Sequence, residues 1–416
     1  MCVFFPALVA VCCKMRHILH AVVFSIYVRQ CSGNMVAGSS SGRPPFSWDT
    51  LPVFFHGANG SGSVWSDAAA KQITRFSMAT IEKSYGMRLP NGSTRSEEIA
   101  GPEACRLIQS ATPAGKAPPA TFFYLNSVID WPFNEQLHSL MVTNPTWRVT
   151  NKHGAPVMVR GQFGYNMTND AMRARWVKEC VDAVKQGCTG CFIDQANMNE
   201  GFPGVSKAAL EAYNEAHRQS FKELSDALSP TGNYALFNHL AVPQSRGLHA
   251  QAMMIEDFVG SENCIVKLQT TVDRGYTIQA RAGRFVDCGA NALDTSSLAA
   301  FLIGAGNFSY YHCAATWGSD PGWPSVRDAW LDWLPAYDFA LGEPLAPGTK
   351  GKDGIWRRTF QSGTRASFDP VALNGSIAWA SGVTYAGQPV TNQTLATIIK
   401  SKGCGWESMM HEDLYY

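Results

Sequence analysis

Two acidic residues stand where chemistry is most easily built. Cys191-Phe192-Ile193 is an apolar run ending in Asp194, and Met253-Met254-Ile255 is another ending in Glu256, with Asp257 beside it. Apolar runs of this length read as buried strands, so each carboxylate falls at a strand's C-terminal end. Two carboxylates facing one cleft can split a glycosidic bond: one protonates the leaving oxygen while the other attacks the anomeric carbon or activates water. Strand side chains alternate, so only one of Glu256 and Asp257 can point inward. Pleat parity selects Glu256 and leaves Asp257 as the alternative acid/base. Burial and mutual repulsion predict one proton shared by Asp194 and Glu256 near neutral pH. An Asp194 that merely caps the following helix is the competing reading.

Other polar residues end apolar runs in the same way and are predicted to bind substrate: His56, Glu82, Asn126, Gln195, Asn238, His239, Gln279 and Tyr310. Gln162 could bond sugar hydroxyls, and Trp131, Phe163, Tyr165, Tyr310, Tyr311 and Trp317 could stack on sugar rings. His56 or His239 with one of the carboxylates could instead form a hydrolytic metal site. No H-x-H or H-E-x-x-H supports that, and Cys188-Thr-Gly-Cys191 lacks the second pair a zinc site needs. Neither a metal nor a cofactor is expected. No G-x-S-x-G nucleophile turn occurs.

The elements that must hold these groups can be read along the chain. Eight strands are predicted, over residues 51–57, 76–83, 121–127, 190–195, 233–239, 251–258, 275–282 and 307–313, with 264–269 an alternative seventh and 156–163 an additional candidate. Helical periodicity fills several intervals. From Ala171 to Gln186 an apolar face runs through Met172, Trp176 and Cys180 up to Gly187, and from Ser206 to Leu228 a stripe runs through Tyr213, His217, Phe221 and Leu224. A third helix spans Leu298 to Ile303. Strands alternating with helices imply an α/β fold with a parallel sheet, here a (β/α)8 TIM barrel, whose active site lies at the C-terminal strand ends. A doubly wound sheet is the alternative, but no glycine-rich phosphate loop follows any strand. Short alternating runs after Leu341 predict a small C-terminal antiparallel β appendage.

The 416 residues suit one large domain, and a formal net charge of +1 argues against nucleic acid as a partner. Residues 1–33 read as a signal peptide or signal anchor, with Met15 an alternative start; 34–47 read as a flexible linker, 48–341 as the catalytic barrel, 342–400 as the appendage and 401–416 as a tail. The mature form is then expected to be secreted or lumenal and free of membrane unless the first segment is an uncleaved anchor. Eight cysteines beyond residue 33 and six N-x-[ST] triplets (Asn59, Asn91, Asn166, Asn307, Asn374, Asn392) fit the secretory pathway.

The blocks TLPVFFHGAN, RFSMATIEK, FFYLNSVIDWP, the helix ending in GCTGCFIDQAN, MMIEDF and LGEPLAPGTKGKDGIWRRTFQSG together resemble hypothetical glycosyl hydrolase family 15. More distantly the chain is similar to barrels of the α-galactosidase and endo-polygalactosaminidase type. The resemblance covers about Trp48 to Pro370 and implies a glycosidase barrel acting on carbohydrate. It also implies a fourth-strand nucleophile, which maps onto Asp194, and a sixth-strand acid/base, which maps onto Glu256. The chain departs from the family pattern at Gln195-Ala-Asn after Asp194 and at Ala366–Pro370. Three rival functions remain open at this stage: a non-catalytic carbohydrate-binding barrel, a metal-dependent hydrolase and a polysaccharide lyase.

Overall fold

The computed structural model describes residues 43–57, 66–82, 87–88, 94–196, 201–240, 252–282, 294–314 and 333–387, with Leu248, Cys288 and Cys404. The expected signal segment, most of the linker, Asn59, Asn91, Trp317 and Asn392 lie outside them. Gly42–Tyr416 form one compact unit.

All eight expected apolar runs are strands of one sheet: β1 (Phe54–Gly57), β2 (Met78–Ile81), β3 (Ala120–Asn126), β4 (Gly190–Asp194), β5 (Tyr234–Asn238), β6 (Ala252–Ile255), β7 (Thr277–Ala282) and β8 (Ser309–Cys313). Each is parallel to the next in chain order. The sheet then returns on itself, because Tyr311 bridges Val53 and its N–H donates to the Pro52 carbonyl at 2.9 Å. The result is a (β/α)8 barrel. Its strands are buried along almost every residue, as a sheet covered on both faces must be.

The outer layer among the described residues comprises α1 (Asp67–Ile73), α2 (Glu97–Ser110), α3 (Glu135–Thr143), α4 (Asp170–Lys185), α5 (Lys207–Leu228), α6 (Glu262–Val272) and α7 (Thr295–Gly304). The Asn169 side chain caps α4 by accepting from the Met172 N–H, and the buried Trp176 on that helix donates its indole N–H to the Asn126 carbonyl at 2.9 Å. This bond ties α4 to the C-terminal end of β3. Helix α4 then feeds β4 through Gly190, where a Cβ would lie 2.0 Å from the Tyr234 carbonyl oxygen, so only glycine permits β4 and β5 to approach this closely.

Helix α7 shows no polar stripe, and all ten of its residues are buried. One side faces the barrel and the other is covered by an antiparallel sheet of β9 (Thr349–Lys350), β10 (Trp356–Thr359), β11 (Arg365–Asp369), β12 (Asn374–Ala378) and β13 (Thr384–Ala386). The fit is close: Arg358 donates to the Leu302 carbonyl at 3.0 Å, and the Gly375 N–H donates to Ser296 Oγ at 3.1 Å. A helix buried on every side is what a position between two layers requires, and its Ser296 hydroxyl is satisfied by the Gly375 N–H.

Four expectations are corrected. Residues 264–269 belong to α6 rather than a strand, with Cys264, Ile265 and Leu268 buried at helical spacing. Residues 156–163 supply only a two-residue ladder, Met158–Val159 with Gln162–Phe163. Residues 43–47, counted as linker, belong to the barrel's foot: Phe46 packs on Phe308 and Tyr310, and Arg43 donates to the Gly275 carbonyl. Their Pro-Pro-Phe content is apolar and stiff, unlike the glycine-serine stretch before it. Cys404, placed in the tail, is bonded to Cys264 of α6.

The other disulfides are Cys105–Cys188, Cys180–Cys191 and Cys288–Cys313, so the eight cysteines beyond residue 33 are all paired. Cys188 and Cys191 therefore bind two different helices, α2 and α4, and brace the entry to β4. Among the described residues no helix is long and apolar enough to cross a membrane.

Candidate active site

Three adjacent strands end alike. Asp194 closes β4 and Asn238 closes β5, while Glu256 directly follows β6; each is succeeded by a residue in the left-handed backbone region, Gln195 (φ 56°), His239 (φ 62°) and Asp257 (φ 54°). Left-handed backbone is costly for residues other than glycine and concentrates at functional sites. Here it interrupts the pleat at the rim, after which the sheet resumes: the Ala196 N–H reaches the Asn238 carbonyl and the Phe258 N–H the Arg281 carbonyl. Asp194, His239 and Glu256 are half-buried, whereas Gln195, Asn238 and Asp257 are buried.

Asn238 joins the two carboxylates. Its Nδ2 donates to Asp194 Oδ1 at 3.1 Å and to Glu256 Oε2 at 2.7 Å, which caps the separation of those two oxygens at about 5.8 Å, the two bonds laid end to end. The remaining Asp194 oxygen accepts from the Tyr124 hydroxyl at 2.6 Å and from Asn126 Nδ2 at 3.3 Å. Burial and the Asp194 charge push the Tyr124 phenol well above its ordinary value, so it remains a donor. The Asn126 Oδ1 turns back to accept the Val128 and Ile129 N–H groups, fixing the amide's orientation.

Glu256 is held from two further sides. His239 Nε2 lies 2.8 Å from Glu256 Oε2, and Arg281 Nη1 lies 3.5 Å from Glu256 Oε1 and 3.6 Å from Asp257 Oδ1. Burial alone would raise the Glu256 carboxyl. The bond and charge of His239, the charge of Arg281 and the Asn238 bond outweigh it and hold the carboxyl well below the usual range. Burial likewise opposes a charge on His239, but the bond and charge of Glu256, with Asp194 and Asp257 nearby, raise its imidazole above the ordinary value. The expected sharing of a proton between Asp194 and Glu256 is thus corrected for Glu256: its nearest strong partners are cations, not the other carboxylate.

His56 of β1 and Glu82, just after β2, are fully buried and meet at 2.5 Å. The Phe192 ring lies between His56 and Tyr124, with centroids 4.6 and 6.1 Å away, beneath the Asp194 carboxylate. Gln279 points inward on β7, one turn of the pleat below Arg281 and fully buried, with no described bond to the cluster. Gln162 stands on the short ladder outside the barrel, also without a described bond to it.

Two expected substrate contacts are corrected. Tyr310 is fully buried at the foot of the barrel, where its hydroxyl meets the Pro44 and Pro45 carbonyls at 3.2 and 3.1 Å; it stands three residues before the end of β8, too low to reach the rim. Tyr165 is buried between barrel and helices, amid the charges of Asp130, Glu179, Glu98 and Arg175. Tyr311 also faces away, packing on Phe301 of α7. Arg281 and Tyr124 were missed by the rule of strand-ending polar residues. Period-two alternation contained the signal, because Arg281 shares a face with Gln279, and Tyr124 with Asn126.

Among the described residues no group of three or more His, Cys, Asp or Glu side chains is placed to hold a metal ion. What the fold and site define is a (β/α)8 barrel with two hydrogen-bond-linked carboxylates at its C-terminal rim. The chain belongs to hypothetical glycosyl hydrolase family 15, whose model matches residues 121–364. No curated protein matches the sequence. Similar solved structures include the glycoside hydrolase domain of PelA from Pseudomonas aeruginosa (14% identity, 61% of this chain and 92% of that one, TM-score 0.40). The α-galactosidase TtGalA from Thermus thermophilus is 13% identical over 80% of this chain and 68% of that one, with a TM-score of 0.44. Ega3 from Aspergillus fumigatus, solved with galactosamine, is 10% identical over 67% and 96%, with a TM-score of 0.39.

Proposed function

We propose that this chain hydrolyses O-glycosidic bonds of a poly- or oligosaccharide, with Asp194 as nucleophile and Glu256 as acid/base. The observation that carries the reading is the Asn238 amide of β5 spanning the carboxylates at the ends of the strands on either side of it, at 3.1 and 2.7 Å and at the half-buried rim. In the first step Asp194 attacks the anomeric carbon while the bond to the leaving oxygen breaks and that oxygen takes a proton from Glu256. In the second, water gives its proton to Glu256 and attacks the same carbon, displacing Asp194. Carboxyl groups about 5–5.5 Å apart belong to retaining enzymes and those about 6.5–9.5 Å apart to inverting ones. The cap of about 5.8 Å on the bridged oxygens supports retention. Four disulfides fit action in an oxidising compartment, secreted or lumenal.

The test is digestion of a glycan panel by the purified chain, with the anomer of the first-formed product followed by NMR. Turnover with retained configuration is expected. Sugar binding without turnover of any panel glycan, unchanged in Asp194→Asn, would replace the reading with that of a carbohydrate-binding barrel.

A further inference from the structure

A general acid must carry a proton when substrate arrives, and Glu256 is surrounded by groups that take it away. Asn238 and His239 both bond Oε2, and Arg281 faces Oε1. The same geometry shows where the proton resides. His239 Nε2 is 2.8 Å from the Glu256 oxygen, its ring is half-buried at the rim, and its backbone is held at φ 62°, which aims the ring back across the end of β5. The charged and titratable groups facing this pair among the described residues are Asp194 from β4, Asp257 beside Glu256 and Arg281 from β7. Two carboxylates and Glu256 itself favour an imidazolium, against the single guanidinium.

We infer that His239 holds the proton of the acid step and passes it to the leaving oxygen through Glu256. The inference rests on the proposed hydrolase reading. In the resting site Glu256 is a carboxylate and His239 an imidazolium. As the glycosidic bond lengthens, the Nε2 proton moves to Glu256 Oε2 and on to the departing oxygen, leaving neutral His239 and the Glu256 carboxylate. In the second step the proton lost by attacking water enters through Glu256 and returns to Nε2, so the pair ends as it began. Asn238 and Arg281 orient Glu256 and keep the proton from settling on it.

Two measurements test this, both on the intact chain. Nitrogen-15 NMR of labelled histidine, with the His239 signal assigned by its loss in His239→Asn, should show an imidazolium persisting above the ordinary histidine pKa of about 6.5 and weakening in Glu256→Gln. Asparagine is chosen because it tolerates the left-handed backbone. On any panel glycan the wild type turns over, the alkaline limb of kcat/KM should move acidward by about 2 pH units in His239→Asn, toward the ordinary glutamate value. A wild-type His239 titrating at or below about 6.5 overturns the inference, as does a His239→Asn rate lowered equally at every pH. The hydrolase reading fails separately, through absence of turnover or full activity in Glu256→Gln, and the histidine titration remains decisive for the pair.

Discussion

Replacing Arg281 by methionine is the sharpest perturbation the site offers. The side chain is 2% exposed, and its Nη1 lies 3.5 Å from Glu256 and 3.6 Å from Asp257. At an effective dielectric of about 20, each contact is worth roughly 4–5 kcal/mol before the cost of desolvating the guanidinium. Removing one partner of such a buried group costs about 3–5 kcal/mol net, because the carboxylates are left uncompensated. The pH dependence separates charge from packing. The folded Glu256 carboxyl lies below its unfolded value, so its stabilisation is complete above the unfolded pKa of about 4.3 and lost as pH falls toward the folded value. Arg281→Met should therefore be destabilised by about 3–5 kcal/mol at pH 7, with the gap to wild type narrowing in acid, where the variant's Glu256, held down less strongly, takes up its proton before the wild type's does. Urea unfolding at pH 7 and at successive values down the acid limb reads this directly. A gap unchanged at every pH would show that Arg281 acts by filling space, and the electrostatic account of Glu256 would be wrong.

Asn238→Ala removes a donor shared by both carboxylates; a charge-assisted bond of about 1.5–3 kcal/mol predicts turnover lowered about 10- to 100-fold with the fold retained, measured by steady-state rates and circular dichroism. Gly190→Ala forces a methyl group to within 2.0 Å of the Tyr234 carbonyl and should cost about 3 kcal/mol through displacement of β4, seen as a lower unfolding midpoint; unchanged stability would contradict the close approach. Burial raises the Glu179 carboxyl of α4 to about 7 despite its ion pair with Arg175. The folded chain thus keeps a proton that the unfolded chain loses near 4.3, and stability drains away as pH rises between those values. Glu179→Gln should gain about 2–3 kcal/mol relative to wild type between pH 5 and 8, and a pH-independent difference would refute this.

The barrel was legible because its evidence is local. The strands are mostly apolar runs, several of them closing on or just before a polar residue such as Asn126, Asp194 or Asn238, and α4 and α5 carry unmistakable helical stripes. Asp194 and Glu256 stand out in sequence for the same reason, and parity favours Glu256 over Asp257, whose side chain is buried toward Arg281. What sequence hid was height within the barrel and the identity of cross-strand partners. Tyr310 and Arg281 occupy inward positions on neighbouring strands, yet one lies at the foot on the Pro44 and Pro45 carbonyls and the other under the rim. That difference depends on strand register, which no single run contains. The protonation of Glu256 was misread for a related cause, since His239 reaches it only through the left-handed turn after Asn238.

The central claim is that Asp194 and Glu256 together break a glycosidic bond. It is tested most directly by comparing the wild type, Asp194→Asn and Glu256→Gln on the same panel glycan, with folding of each confirmed by its unfolding midpoint. The account predicts turnover by the wild type and loss of nearly all of it in each variant, a drop on the order of 1,000-fold or more, since a nucleophile and an acid/base act as one unit. Full activity in either folded variant would contradict it.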